Sequence, residues 1–430
     1  MNREMIDSGV EWIGKIPSKW KLERLQWHLL EINEKNNPVK TTNILSLTNK
    51  LGVIPYNEKG NQGNVAKENY DEYKVAYPDT IVANSMNVLI GSVGYCNYFG
   101  CVSPVYYVFK NKEGSNLRYF DYVFQTQQFQ KELRKYASGI LEIRLRVSAA
   151  DILKRKIAVP SYEEQQKIVE MLDKKISQID TLILNQEKQI EKIKEYKQSF
   201  ITKVVTKGLN PNVVMKDSGE DSIGFVPVHW NVLRAKFVFN ELIKGSGISK
   251  DEVFENGDIQ CVRYGEIYTK YDISFGKTFS KTIEDKIPSK VYLEKGDIIF
   301  SATGELVEEI GKNVVYLGEE KCLAGGDIII GRHSENAEYL NYAMYCSASQ
   351  IQKSRGKAKL KVVHISATNI GNIIVSIPPI NEQIEIVTYL NQKIVAIDKT
   401  ISLKHKKIDK LWDYKKSIIY EYVTGKKEIC

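Results

Sequence analysis

The stretch DSGVEWIGKIPSKW at residues 7–20 returns as DSGEDSIGFVPVHW at residues 217–230. One such match could be chance, but a second falls in register with it. PSYEEQQKIVEMLDKKISQIDTLI begins at Pro160 and PPINEQIEIVTYLNQKIVAIDKTI begins at Pro378, with Glu-Gln, Ile-Val, Leu, Lys-Ile and Ile-Asp at matching offsets. The likeness continues through Tyr196-Lys197 and Tyr414-Lys415 to Val205-Thr206 and Val423-Thr424. The chain is therefore a tandem duplication, and whatever it folds into is built twice. Its 430 residues are also too many for one ordinary hydrophobic core, which independently favours more than one domain.

No glycine or proline interrupts residues 162–207 or 380–424. Within them apolar residues recur at alternating steps of three and four, the spacing of helices that pack along a narrow seam. The first seam runs through Ile176, Ile179, Ile183, Gln186, Ile190, Ile193 and Lys197, then Phe200 and Val204. The second runs through Ile394, Ile397, Ile401, Lys404, Ile408, Leu411 and Lys415, then Ile418 and Tyr422. Even the polar interruptions coincide, as expected if they fix the register of two helices packed on each other. Two surface helices, each lying on its own domain, would not need so long and narrow a stripe.

The intervening segments read differently. TNILSLTN, DTIVANSMNVLIGSVGY, CVSPVYYVFK, GDIQCVRYGEIY, GDIIFSATGE and GGDIIIGR are short β-rich runs bounded by turn residues. LRYFDYVFQTQQFQKELRKYA and AEYLNYAMYCSASQIQK read as helical. The expected fold is α+β, two mixed α/β globules joined by two long antiparallel helices as a pseudo-two-fold tandem duplication. The expected boundaries are 1–159 and 208–377 for the globules, 160–207 and 378–430 for the helices. A first helix leaving its globule for about 43 residues would extend roughly 65 Å. A second helix returning along it would make a dumbbell able to span roughly 19 base pairs of duplex DNA.

The formal charge of +8 and the pI near 8.8 lean toward an anionic partner, weakly. The charged N-terminus is unlike a signal peptide and no apolar run reaches the roughly 20 residues of a membrane span, so a cytoplasmic protein without a membrane partner is expected. Six cysteines and five histidines show no metal-binding spacing, so no metal site is expected. P-loop, HExxH and G-x-S-x-G motifs are absent. Pro78-Asp79 lacks the Glu-x-Lys that would complete a nuclease motif, and no Asn/Asp-Pro-Pro-aromatic motif of amino-methyltransferases occurs. Gly91-Ser92-Val93-Gly94 and Gly245-Ser246-Gly247 could cradle a phosphate, although glycine pairs are more often turns. A recogniser without catalytic residues or a cofactor of its own is the resulting expectation.

Candidates for DNA contact are basic residues interleaved with aromatics. In the first repeat these are Lys50, Tyr95, Arg134, Arg144 and Arg146; in the second they are Arg263, Tyr264, Lys270, Arg355, Lys357, Lys359 and Lys361. The lysines at 357, 359 and 361 would share one face if that stretch were a strand. Both repeats concentrate positive charge just before the strand that leads into the helix.

Together, the paired Asp-Ser-Gly…Ile-Gly…Pro…Trp openings, the paired Pro…Glu-Gln…Ile helix starts and the strand phrases VRYGEIYTKY and KGDIIFSATG resemble the specificity subunits of type I restriction-modification systems over essentially the whole chain. The resemblance implies two target recognition domains, each reading one half of a split double-stranded DNA sequence. It further implies helices that dock two adenine-N6 methyltransferase subunits, with restriction subunits joining afterwards. S-adenosylmethionine, ATP and magnesium would belong to those partners. LSLTNKLGVIPYNEKG has no close twin in the second repeat, so an asymmetric bipartite target is expected. A coiled-coil adaptor that binds only proteins would also explain the helices, but it leaves the matched basic segments and the unlike globules without a purpose.

Overall fold

The computed structural model describes residues 3–48, 52–60, 66–67, 69–139, 145–357 and 362–429. The chain divides into two compact units, residues 1–187 with 405–430 and residues 188–404, so both divisions fall inside long helices. These helices are Tyr162–Lys207 and Ile380–Val423. Each follows a proline and carries glutamate in its first turn, where a carboxylate complements the exposed N–H groups. Each ends at a glycine with positive φ: Gly208 at +72° and Gly425 at +69°. The amide of Gly208 donates to Val204 O at 3.0 Å and that of Gly425 to Tyr422 O at 3.2 Å, closing the last turns as left-handed caps do.

Unit 1 pairs the start of the first helix with the end of the second. The Lys175 ammonium lies 5.9 Å from the Tyr422 ring centre and Lys415 meets Asp180 at 2.7 Å, so the segments run antiparallel. Unit 2 pairs the end of the first with the start of the second. There Lys404 contacts Gln189, Lys197 meets Asp398 at 2.9 Å, and the rings of Phe200 and Tyr389 lie 5.9 Å apart, again antiparallel. Ile179, Ile183, Ile190, Ile394 and Ile408 are buried, while Ile176, Ile193, Ile397, Ile401 and Leu411 are half-buried. The stripe expected from the heptads is thus the covered face of both helices.

The repeated opening motif supplies the joint within each unit. In unit 1 the Trp20 indole donates to Glu164 Oε2 at 3.0 Å, at the first helix's start, and Gly425, past the second helix's end, packs on Pro17 and Trp20. The buried Tyr119 hydroxyl lies 2.8 Å from Ala158 O and 2.9 Å from Val423 O. Gln165 donates to Pro160 O at 3.0 Å and accepts from the Asn116 amide at 3.0 Å. Unit 2 repeats this group by group. Trp230 donates to Glu382 Oε2 at 3.0 Å, Gly208 packs on Trp230, Tyr339 hydroxyl reaches Ser376 O and Val205 O at 2.8 and 3.3 Å, and Gln383 donates to Pro378 O while accepting from the Asn336 amide. The tyrosine hydroxyls and the glutamine side chains named here are buried and partnered, as burial requires, while the two glutamates are about a quarter exposed.

Beyond the joint the units differ. Unit 1 holds an antiparallel four-stranded sheet in the order Leu29–Ile32, Tyr106–Asn111, Thr80–Asn84, Val93–Cys96, with smaller ladders Leu45–Thr48/Gly52–Pro55 and Lys74–Ala76/Gly100–Val102 beside it. Unit 2 holds a five-stranded sheet in the order Phe239–Lys244, Ile328–His333, Ile298–Ser301, Asn313–Tyr316, Ser274–Phe275. Its second sheet, Ser280–Thr282, Ile259–Val262, Cys322–Ala324, Tyr292–Leu293, contains a parallel pair at its centre. In each unit one strand before the long helix, Lys156–Val159 or Ile374–Ile377, pairs with the strand that follows the tryptophan, Lys21–Arg24 or Asn231–Arg234.

Three local expectations need correction. Within VRYGEIYTKY, Tyr264–Thr269 is a short helix, because its strand ends at Val262 and Glu266 turns back to accept from the Arg263 amide at 2.9 Å. LRYFDYVFQTQQFQKELRKYA is two helices, Leu117–Phe124 and Gln127–Arg134, since Thr126 adopts extended backbone and caps the second. Lys357 lies past the end of helix Ser347–Ser354 and on no strand, while Lys359 and Lys361 lie outside the described residues.

Trp230 is fully buried. Trp230→Ala is expected to cost unit 2 about 3–5 kcal/mol, the usual loss for deleting a buried large aromatic. Trp230→Phe keeps most of the ring but loses the donor to Glu382, and should cost about 1–3 kcal/mol. Hydrogen exchange of unit 2 amides in increasing urea measures both; equal effects of the two variants would show that the indole N–H contributes the whole loss.

Candidate nucleic-acid interface

The clearest convergence of expected contact residues is in unit 2. Arg263, Tyr264 and Lys270 line one cleft of about 1060 Å3 together with Gly247, Ser249, Lys250, Phe279, Gly325, Gly326 and Asp327. Four separate segments build it. Strand Ile259–Val262 delivers Arg263 at its end, and the short helix Tyr264–Thr269 carries Tyr264 on its first turn and Lys270 just beyond its last. Glu266 fastens this corner: one carboxylate oxygen accepts from the Arg263 amide at 2.9 Å, the other from the Ser280 hydroxyl at 2.6 Å.

Glycine forms the opposite wall because the backbones touch. A Cβ on Gly245 would lie 2.1 Å from Gly325 O, and one on Gly325 would lie 3.1 Å from Val262 O. Ser246, fully buried, accepts from the Val291 amide at 2.7 Å. Gly245-Ser246-Gly247 therefore serves close packing and the cleft wall. Gly91, at φ +86°, is likewise a turn, and Gly94 crosses Gly52 too closely for a side chain.

The rim combines charge and apolar surface. Tyr264 is 40% exposed and Phe279 67% exposed, and the Lys270 ammonium lies 5.4 Å from the Phe279 ring centre. Lys250 and Asp327 are also exposed. Inside, the buried Nε of Arg263 has no hydrogen-bond partner among the described residues. Cationic, aromatic and hydroxyl groups around an unpaired guanidine N–H make a surface suited to an anionic, hydrogen-bonding and partly apolar ligand, the profile of nucleic acid.

The other candidates are placed less favourably. Arg355 is tied to Glu220 of the repeated opening motif at 3.2 and 2.5 Å, and Lys357 donates to His364 O at 2.7 Å. In unit 1 the Tyr95 hydroxyl donates to Asp79 and its ring lies 4.9 Å from the Arg118 guanidinium; burial, with Asp79 adding to it, pushes the phenol up to about 12. Arg134 and Arg146 are exposed, and a bridge between Ser138 and Arg146 holds the latter near the end of helix Gln127–Arg134. Lys50 and Arg144 lie outside the described residues. Among the described residues no cluster suited to a metal ion occurs, and no helix is long and apolar enough to cross a membrane.

Lys250, Phe279 and Asp327 went unrecognised in the sequence. A phenylalanine between polar residues in KTFSKT is the one local sign of an exposed aromatic; GGD reads as an ordinary turn.

The type I restriction-modification DNA specificity domain matches residues 17–194 and again 227–412. The chain belongs to that family. A type I specificity subunit of Methanocaldococcus jannaschii, the MjaVIII subunit, is 26% identical over 282 residues, 63% of this chain and 62% of the relative. The specificity subunit of the putative type I enzyme MjaX from the same organism is 24% identical over 301 residues, 69% of this chain and 65% of the relative. The match thus spans less than two thirds of either protein. A chain in a solved structure described as "structural basis underlying complex assembly and conformational transition of the type I R-M system" shares the fold, with a TM-score of 0.68 at 14% identity, over 96% of this chain and 99% of that one. Both specificity-domain matches end within the long helices, so the family unit includes the helical arm.

The Arg355–Glu220 pair generates a pH prediction. Hydrogen bonding to Arg355 is the main cause that holds the Glu220 carboxyl at about 2, below its ordinary 4.5. A depressed carboxylate contributes stability above the ordinary value and loses it as pH falls toward the folded one. Arg355→Ala should therefore lower the thermal midpoint at neutral pH, and the difference from wild type should shrink between pH 4.5 and 2. Unfolding followed by calorimetry across that range checks it; a constant difference would place the contribution of Arg355 elsewhere.

Proposed function

We propose that this chain is a sequence-specific DNA-recognition subunit of a type I restriction-modification complex, without catalytic residues of its own. The observation that carries this reading is the cleft of unit 2, where Arg263, Tyr264 and Lys270 converge in a part of the chain that the duplication does not share. The unlike sheets of the two units support two different half-site readers and so an asymmetric bipartite target. The repeated helices support the docking of two like partners, the adenine-N6 methyltransferase subunits. Tyr196 and Tyr414 occupy matching positions in the repeat and are both exposed, at 59% and 47%. Restriction subunits would join through that assembly, and S-adenosylmethionine, ATP and magnesium would be bound by those partners. A cytoplasmic location accords with this role.

The test is methylation sequencing in a host that lacks its own modification, expressing this chain with its cognate methyltransferase or that methyltransferase alone. N6-methyladenine is expected within a split motif only when this chain is present. Formation of a complex that methylates no motif would favour a protein-binding adaptor instead.

A further inference from the structure

We propose that the cleft of unit 2 reads a G·C base pair, with Arg263 donating to the guanine and the Asp327 carboxylate accepting from the cytosine amino group. This rests on the DNA-recognition reading and specifies its chemistry. The starting observation is Arg263 itself. Its Nε is buried without a partner among the described residues, and a buried donor left unpaired is costly until something accepts from it. The nearest carboxylate by sequence does not take this donor: the oxygens of Glu266 accept from the Arg263 amide and the Ser280 hydroxyl, and Nε stays unpartnered among the described residues. Arg332 of the same unit also has a buried Nε without a hydrogen-bond partner among these residues, but its terminal nitrogens are held by Glu241 and Glu294, and Arg355 is paired with Glu220; Arg263 makes no ion pair among the described residues. Arg263 is held in place by its backbone while its guanidinium is left for a ligand.

The ligand must supply acceptors to Arg263, yet the same cleft presents Asp327, an exposed carboxylate that offers acceptors only. A phosphate offers only acceptors and negative charge, so Asp327 opposes it. The edge of a G·C pair in the major groove offers both kinds of group: guanine N7 and O6 accept, and cytosine N4 donates. Arginine suits the first role because its planar fork meets two acceptors at once, which a lysine ammonium does not. Lys250 and Lys270 on the rim can take the flanking phosphates. Phe279, with two thirds of its surface in solvent, adds apolar contact beside them. An A·T pair in the same place would set the adenine amino group against Arg263, donor against donor.

The experiment is selection from a random duplex DNA library by the full chain copurified with its methyltransferase, comparing wild type with Arg263→Ala, Arg263→Lys and Asp327→Asn. Wild type should select a split motif with a fixed guanine in one half. Arg263→Ala should lower the preference for that guanine about tenfold to a hundredfold, the range for a bidentate base contact, and leave the other half of the motif intact. Arg263→Lys should retain binding but lose most of that preference, and Asp327→Asn should weaken it at the same base pair. Thermal midpoints are measured for each variant; should Arg263→Ala fail to fold, Arg263→Lys decides the matter. Equal weakening on every sequence would make Arg263 a phosphate contact, and unchanged selection would make it structural; either overturns the proposal while leaving DNA recognition standing. A wild-type complex that selects no motif would overturn both.

Discussion

A tryptophan N–H donating to a glutamate at a helix start is the contact on which the rest of each unit depends. Trp20 and Glu164 make it in unit 1, Trp230 and Glu382 in unit 2, both at 3.0 Å. The glutamate sits in the first turn, where its charge also complements the free amides of the helix. The indole ring meanwhile takes the glycine that ends the other long helix onto its face. One side chain thereby fixes where one helix begins and where another stops. A tyrosine hydroxyl near two backbone carbonyls, one at the strand before the helix and one at the end of the other helix, braces the same corner.

With both ends set, the seam has little freedom left, and its polar residues use what remains. Lys197 is buried to 92% at its side chain and meets Asp272 and Asp398; Lys415 meets Asp180. Such pairs add little net stability, because desolvation offsets much of the attraction. Their effect is on alignment: sliding one helix along the other by a residue would strand a buried ammonium without its carboxylate. The isoleucines around them would tolerate that slide far better, since apolar contact is not directional.

The scaffold was legible in the sequence because its signals are periodic or repeated. Heptad spacing identified Ile179, Ile183, Ile190, Ile394 and Ile408 as buried, and the absence of glycine and proline marked both long helices to within a residue or so of their ends. The paired motifs pointed to paired jobs, though nothing in one dimension said that Trp20 would meet Glu164. The cleft was only partly legible. Arg263, Tyr264 and Lys270 are close in sequence and stood out together, whereas Phe279, Lys250 and Asp327 reach them only through the folding of three other segments. The pairing of Arg355 was hidden for a related reason: its carboxylate partner, Glu220, lies far away in the chain.

This division follows from what duplication preserves. Residues that build the joint must satisfy buried donors and acceptors in three dimensions at once, so a change in one leaves another unpaired. Trp, Glu, Gln and Tyr at the joint accordingly stand at matching places in both repeats. Arg263 is under no such constraint from the scaffold, because its guanidinium satisfies nothing buried in the protein. A surface of that kind can diverge between repeats without disturbing the joint, and the two units have indeed become a four-stranded antiparallel sheet in one and a mixed five-stranded sheet in the other. A chain organised this way can vary the exposed surface of each unit while keeping its joint, since the two draw on separate sets of residues.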